Sequence, residues 1–167
     1  MNCIVNVSEN WGIGRENQLL VSVSADLKRF RALTAGKTVI LGRKTLATFP
    51  GGRPLPKRAN LVLSSDRSLA IEGAQIVHSL PELLAVCRRI PREELCVIGG
   101  ASVYGLLLPY CDETLVTKTF LALPADRFFP NLDELPGWTL ARESEIMEEN
   151  GVRFQYRDYR CASPLPL

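Results

Sequence analysis

Histidine is almost missing from the chain: His78 is the only one in 167 residues. A single imidazole leaves no basis for a histidine-rich metal centre or a Ser-His-Asp triad. The five cysteines, Cys3, Cys87, Cys96, Cys111 and Cys161, lack C-x-x-C spacing, so they supply no zinc site either. Their odd number, with four in apolar runs, reads as reduced core thiols of a cytoplasmic protein. Net charge is also scarce. Lys+Arg number 20 against 18 Asp+Glu, a formal +2, so no nucleic-acid backbone is expected to be held by bulk charge and any anion must be recognised locally. No apolar stretch approaches the roughly 18 residues that span a bilayer, and the N-terminal residues carry no leader pattern, so no membrane partner is expected.

What is present fits one globular domain. Short runs of branched apolar residues at 3–7, 38–41, 60–63, 75–77, 95–98 and 114–117 predict buried strands. Helical spacing falls between them, most clearly over 25–33, where Leu27, Phe30 and Leu33 share one face and Lys28, Arg29 and Arg31 are expected to face solvent. Ser24 is the expected N-cap of that helix and Gly36 its stop. Further helices are predicted over 80–89, capped by Ser79, and over 102–108, ended by Pro109. Strand and helix alternate to about residue 110, the pattern of a mostly parallel sheet covered on both faces. Afterwards the segments 138–146 and 152–160 flank an Asn150-Gly151 turn signal, which predicts an antiparallel C-terminal hairpin. The expected fold is therefore a single α/β domain with a mixed sheet flanked by helices, over residues 1–161. Residues 162–167 are expected to be a frayed tail.

Four places could carry chemistry. Ile98-Gly99-Gly100-Ala101-Ser102-Val103-Tyr104 runs from a strand through two glycines into a helix start, where backbone N–H groups can approach a pyrophosphate. A tight strand-to-helix turn needs the same glycines. Gly42-Arg43-Lys44-Thr45 repeats the arrangement with two cations and a hydroxyl, and cations at a helix start are out of place unless an anion is bound there. Asp26 is either a dipole-stabilising acid in a first helical turn or a carboxylate that holds an amidine-like heterocycle through two parallel hydrogen bonds. Arg58, in the basic loop Arg53-Pro54-Leu55-Pro56-Lys57-Arg58, could clamp a carboxylate or simply face solvent.

Together with Trp11-Gly12-Ile13-Gly14, these segments resemble the dihydrofolate reductase family in order and spacing, over about residues 1–160. The resemblance implies an eight-stranded mixed sheet and an NADPH-dependent reduction of 7,8-dihydrofolate to tetrahydrofolate for one-carbon metabolism. It implies that Asp26 holds the pterin and supports protonation of N5, assisted by Thr117 through a water. Leu27, Phe30, Phe49, Leu55 and Arg58 would take the substrate, Arg58 by its glutamate α-carboxylate. Ile4, Val5, Asn6, Ile98 and Tyr104 would lie beside the pterin and nicotinamide. Ile13 and Gly14 would belong to a mobile loop over the nicotinamide. Gly42, Arg43, Lys44 and Thr45 would contact phosphate and nicotinamide, Leu63, Ser64 and Ser65 the adenosine side, and Gly99, Gly100, Ala101, Ser102 and Val103 the pyrophosphate. Ser65 with Arg43 would read the 2′-phosphate, against which Asp66 is unhelpful. Antifolates are the implied inhibitors, and a monomer without a fused partner enzyme is the implied assembly.

Three departures from the family pattern stand out. Leu20 and Val21 replace a proline and a tryptophan that help order an active-site water, Ser24 replaces a second proline, and Asn6 stands where alanine is usual. Asn6 is expected to touch the nicotinamide carboxamide or to satisfy itself on nearby backbone. Two alternatives follow: a riboflavin-pathway nucleotide reductase of the same fold, and a catalytically weak homologue that binds NADPH or folate. Asp26 together with Arg58 argues against the first, and turnover separates the second.

Overall fold

The computed structural model describes residues 1–20 and 22–167. Five strands rich in branched apolar residues form its parallel centre: β1 (Asn2–Val7), β4 (Thr38–Gly42), β5 (Ala59–Leu63), β6 (Ala74–Val77) and β7 (Leu95–Gly99). With β8 (Glu113–Thr119), β10 (Trp138–Glu143) and β12 (Val152–Cys161) they make an eight-strand path, β10-β12-β8-β1-β7-β4-β5-β6. Pairing is parallel from β8 to β6 and antiparallel where β12 joins β8 and β10. The expected mixed, mostly parallel sheet is thus present.

Alternation within the central strands explains why both faces must be covered. Leu95 and Val97 of β7 and Ile40 of β4 join one apolar cluster, whereas Cys96, Ile98, Val39 and Leu41 join another on the opposite face. A strand buried on both sides reads as an unbroken apolar run, which is how these strands are legible. The helices are α1 (Ser24–Thr34), α2 (Arg43–Ala47), α3 (Leu80–Cys87) and α4 (Ala101–Leu107). None of the helices among the described residues is long and apolar enough to cross a membrane.

Several expectations change in the structure. The turn at Asn150 and Gly151, with φ of 51° and 80°, joins β12 to the short β11 (Met147–Glu149), while β10 pairs with the far part of β12. Both φ values are positive, the requirement of a two-residue hairpin turn, and Asn-Gly meets it. A second, three-stranded sheet is formed by β2 (Gly12–Arg15), β3 (Gln18–Leu19) and β9 (Arg127–Phe128). Its strands are too short and too polar to carry a periodicity. Ser24 is not the N-cap of α1: Val23 occupies that position, and the Glu149 carboxylate accepts from the N–H groups of Ser24 (2.7 Å) and Ala25 (3.3 Å). Arg29 does not face solvent, because it pairs with Asp158 at 3.0 Å and lies 4.0 Å from the Tyr156 ring centroid. Residues 162–167 are not frayed either. Ala162 N–H donates to Gly137 O, Leu165 N–H donates to Pro109 O, both at 2.9 Å, and Leu167 packs on the core.

Candidate active site

The parallel strands β4 and β7 end side by side at Gly42 and Gly99, and the chain departs from them into α2 and α4. A cleft of about 1740 Å³ opens over these carboxyl ends and is walled by β1, α1, β2 and the 49–58 loop. Parallel α/β sheets bind ligands at this end. The volume exceeds the roughly 300–1,000 Å³ of a one-ligand pocket, so two extended molecules can lie in it together.

Asp26 reaches the cleft from the first turn of α1 and is half-buried. Thr117 Oγ1, on β8, donates to Asp26 Oδ1. Asn6 Nδ2, on β1, donates to Oδ2 at 3.1 Å, and the Asn6 Oδ1 accepts from Thr119 Oγ1 at 2.9 Å. Both carboxylate oxygens are therefore engaged from the sheet. Tyr104 O–H donates to Ile4 O at 2.7 Å across the cleft floor. Burial, and then the electrostatic influence of Cys3 and Asp26, holds the Tyr104 phenol well above its ordinary pKa, so it remains a donor.

On the side of α1 and the 49–58 loop, Phe30, Phe49 and Leu55 pack against the cluster of Val39, Leu41 and Ile98 and present apolar wall. Arg58 is held at its edge. Its Nε–H donates to Thr34 Oγ1 at 2.9 Å and its Nη1–H donates to Pro56 O at 3.0 Å. Desolvation first, and then Arg31 beside it, push the Arg58 pKa below its ordinary value. Among the described residues neither arginine enters an ion pair. Two adjacent cations with no counter-charge make a local site for an anion. Asn60 braces this loop through bonds to Leu55 N–H and to the carbonyls of Leu55 and Arg58.

At the opposite end the glycines allow close packing of two turns. A Cβ on Gly100 would stand 3.0 Å from Thr45 Oγ1, and one on Gly42 would stand 3.3 Å from Val103 Cγ2. Gly99 has φ +135°, and the Gly99–Gly100 peptide is cis. Arg43 and Lys44 are exposed at the cleft and, among the described residues, unpaired. Leu63, Ser64 and Ser65 extend the same wall. The Asp66 carboxylate accepts from Ser68 N–H (2.9 Å) and Ser68 O–H (2.6 Å), bonds that lower its pKa. Its charge is thereby occupied by its own turn.

A dihydrofolate reductase family model matches residues 1–161. The chain is 37% identical to the dihydrofolate reductase of Bacillus subtilis over 147 residues, which is 88% of this chain and 82% of that protein. It is 33% identical to the enzyme of Neisseria meningitidis over 156 residues, 93% of this chain and 94% of that one. A solved structure of dihydrofolate reductase from Enterococcus faecalis, complexed with NADP(H) and RAB-propyl, superposes with a TM-score of 0.84 at 32% identity and covers 96% of this chain and 95% of that chain. The chain belongs to the dihydrofolate reductase family. Each of these matches favours that reading over the two alternatives raised from the sequence.

Every cleft residue expected from the family pattern lines the cleft except Thr117, which is buried behind Asp26. Two expected contacts are corrected. Thr117 bonds Asp26 directly rather than through a water, because β8 brings its hydroxyl against the carboxylate. Of the two expectations for Asn6, the one corrected is backbone self-satisfaction, because its amide bonds the side chains of Asp26 and Thr119. Arg31 and His78, which lie outside the family pattern, also line the cleft. His78 Nδ1 sits 2.8 Å from Ser64 O beside the exposed Ser65, a placement that depends on pairing of β5 with β6. Of the departure at Leu20 and Val21, Val21 lies outside the described residues, while Leu20 N–H donates to Ile13 O at 3.4 Å.

Proposed function

We propose that this chain reduces 7,8-dihydrofolate to tetrahydrofolate with NADPH, and that its cleft holds the two molecules end to end. The observation that carries this reading is the Asp26 carboxylate, bonded at both oxygens from the sheet and opening into the same cleft as the two glycine turns. The residues present suit a dinucleotide: the Gly42 and Gly99-Gly100 turns line the cleft at the strand ends without side chains, with Arg43 and Lys44, unpaired among the described residues, beside them.

When bound, NADPH supplies the hydride that goes to C6 of dihydrofolate. Asp26 accepts from the N3–H and 2-amino group of the pterin, which fixes the ring and favours protonation at N5. Ile4, Val5, Asn6, Leu27, Ile98 and Tyr104 form the wall along which the two rings meet, and its largely apolar surface orients them and limits water between them. Phe30, Phe49 and Leu55 embrace the aminobenzoyl ring, and Arg58 takes the α-carboxylate. Thr45 and residues 99–103 take the diphosphate, Leu63, Ser64 and Ser65 the adenosine, and Ser65 with Arg43 the 2′-phosphate. Ile13 and Gly14 cover the nicotinamide. Antifolates with a 2-amino heterocycle compete at Asp26, and the enzyme works as a cytoplasmic monomer.

The direct test follows NADPH absorbance on mixing with dihydrofolate, then repeats it with NADH. Oxidation that is fast with NADPH and slow with NADH is expected. No oxidation with either would overturn the reading.

A further inference from the structure

We propose that Asn6 is a positioning residue for this reaction, fixing the plane of the Asp26 carboxylate, and that Thr119 in turn fixes Asn6. This rests on the reading of Asp26 as the group that holds the pterin. The carboxylate arrives on α1, but its two oxygens are held from β1 and β8, which pair in parallel with Asn6 opposite Thr117. An ionised carboxylate offers about four lone-pair sites. Thr117 takes one on Oδ1 and Asn6 one on Oδ2, which leaves one on each oxygen for the two parallel N–H donors of a 2-amino heterocycle. Rotation about the Asp26 Cβ–Cγ bond moves both oxygens away from their donors, so the remaining pair of acceptors is preset toward the cleft.

A side-chain amide can sit either way round, and the wrong way would place an oxygen against the carboxylate. The Asp26 carboxylate prevents this, because it only accepts and so draws Nδ2 to 3.1 Å, and the wholly buried Thr119 hydroxyl anchors the other end of the amide by donating to Asn6 Oδ1 at 2.9 Å. The chain of donors runs one way, from Thr119 through Asn6 to Asp26. Thr119 does not line the cleft, and its hydroxyl reaches it through the bond to Asn6.

The test uses the full chain in single-turnover hydride transfer with NADPH and dihydrofolate, alongside NADPH affinity by fluorescence titration. A wild-type chain that does not turn over defeats the assigned function. A wild-type chain that does turn over isolates the present question. Asn6→Ala and Thr119→Val are each expected to slow hydride transfer, by roughly tenfold or more for Asn6→Ala, which loses a bond to a charged group, and by up to roughly tenfold for Thr119→Val, which loses one to a neutral amide. The double variant should be no slower than Asn6→Ala alone, Thr119→Ser should keep the wild-type rate, and NADPH affinity should stay unchanged in Thr119→Val, whose side chain lies outside the cleft lining. Losses that add, a parallel loss of NADPH affinity in Thr119→Val, or a wild-type rate in Asn6→Ala would overturn the proposal. Thr119→Val is near-isosteric, so the Thr119 pair carries the test if Asn6→Ala does not fold.

Discussion

Asp26 shows how a residue acquires a role that its local sequence leaves open. In the first turn of α1 an aspartate stabilises the helix dipole whether or not anything binds to it. The donors around it support the second reading, that of a ligand-holding carboxylate, and they lie 20 residues away at Asn6 and 91 residues away at Thr117. No local pattern encodes such distances, so the acid and the glycine turns were legible from motif spacing while the amide partner was not. Asp26→Asn keeps the shape and removes the charge. It is expected to slow hydride transfer at neutral pH by roughly 10²-fold, in the range of a lost acid–base group, with NADPH affinity unchanged. Single-turnover kinetics with a parallel cofactor titration check both halves.

Elements were legible where burial made them repetitive. The central strands and α1, α3 and α4 announced themselves through apolar runs and helical spacing, whereas β2, β3 and β9 are short segments held by long-range pairing. The start of α1 marks the boundary between the two cases. A serine just ahead of a helix is the ordinary local cap, yet the N–H groups of Ser24 and Ala25 are satisfied by Glu149, about 125 residues later. The tie fastens the C-terminal hairpin to the helix that bears Asp26. Glu149→Ala is therefore expected to cost about 1 kcal/mol of unfolding free energy, the usual value of a helix cap, while Ser24→Ala stays near neutral. Urea denaturation of the two variants distinguishes them, and the reverse order would show that the serine caps the helix after all.

Across the whole molecule the near-balance of charge conceals particular placements. The N-terminal ammonium and Arg92 both donate to Asp112, joining the start of β1 to the approach to β8. Burial acts to raise the Asp112 pKa, but the hydrogen bonds from these two cations outweigh it and the pKa is lowered. A depressed carboxylate pKa contributes stability above its unfolded value, near 3.9, and that contribution is lost as pH falls through the folded value. Asp112→Asn should accordingly narrow the gap to wild type below about pH 4 and lower stability at pH 7. Thermal melts at the two pH values give the comparison. Arg31 and Arg58 are the opposite case, like charges left facing each other. The Debye length is about 10 Å at 0.1 M salt, so dissolved ions screen the long-range pull of these two charges on an approaching anion. Substrate capture should weaken with ionic strength, and less steeply in Arg31→Gln, when dihydrofolate association rates are measured against salt. The cleft mouth is thus an electrostatic funnel whose reach is set by the surrounding electrolyte.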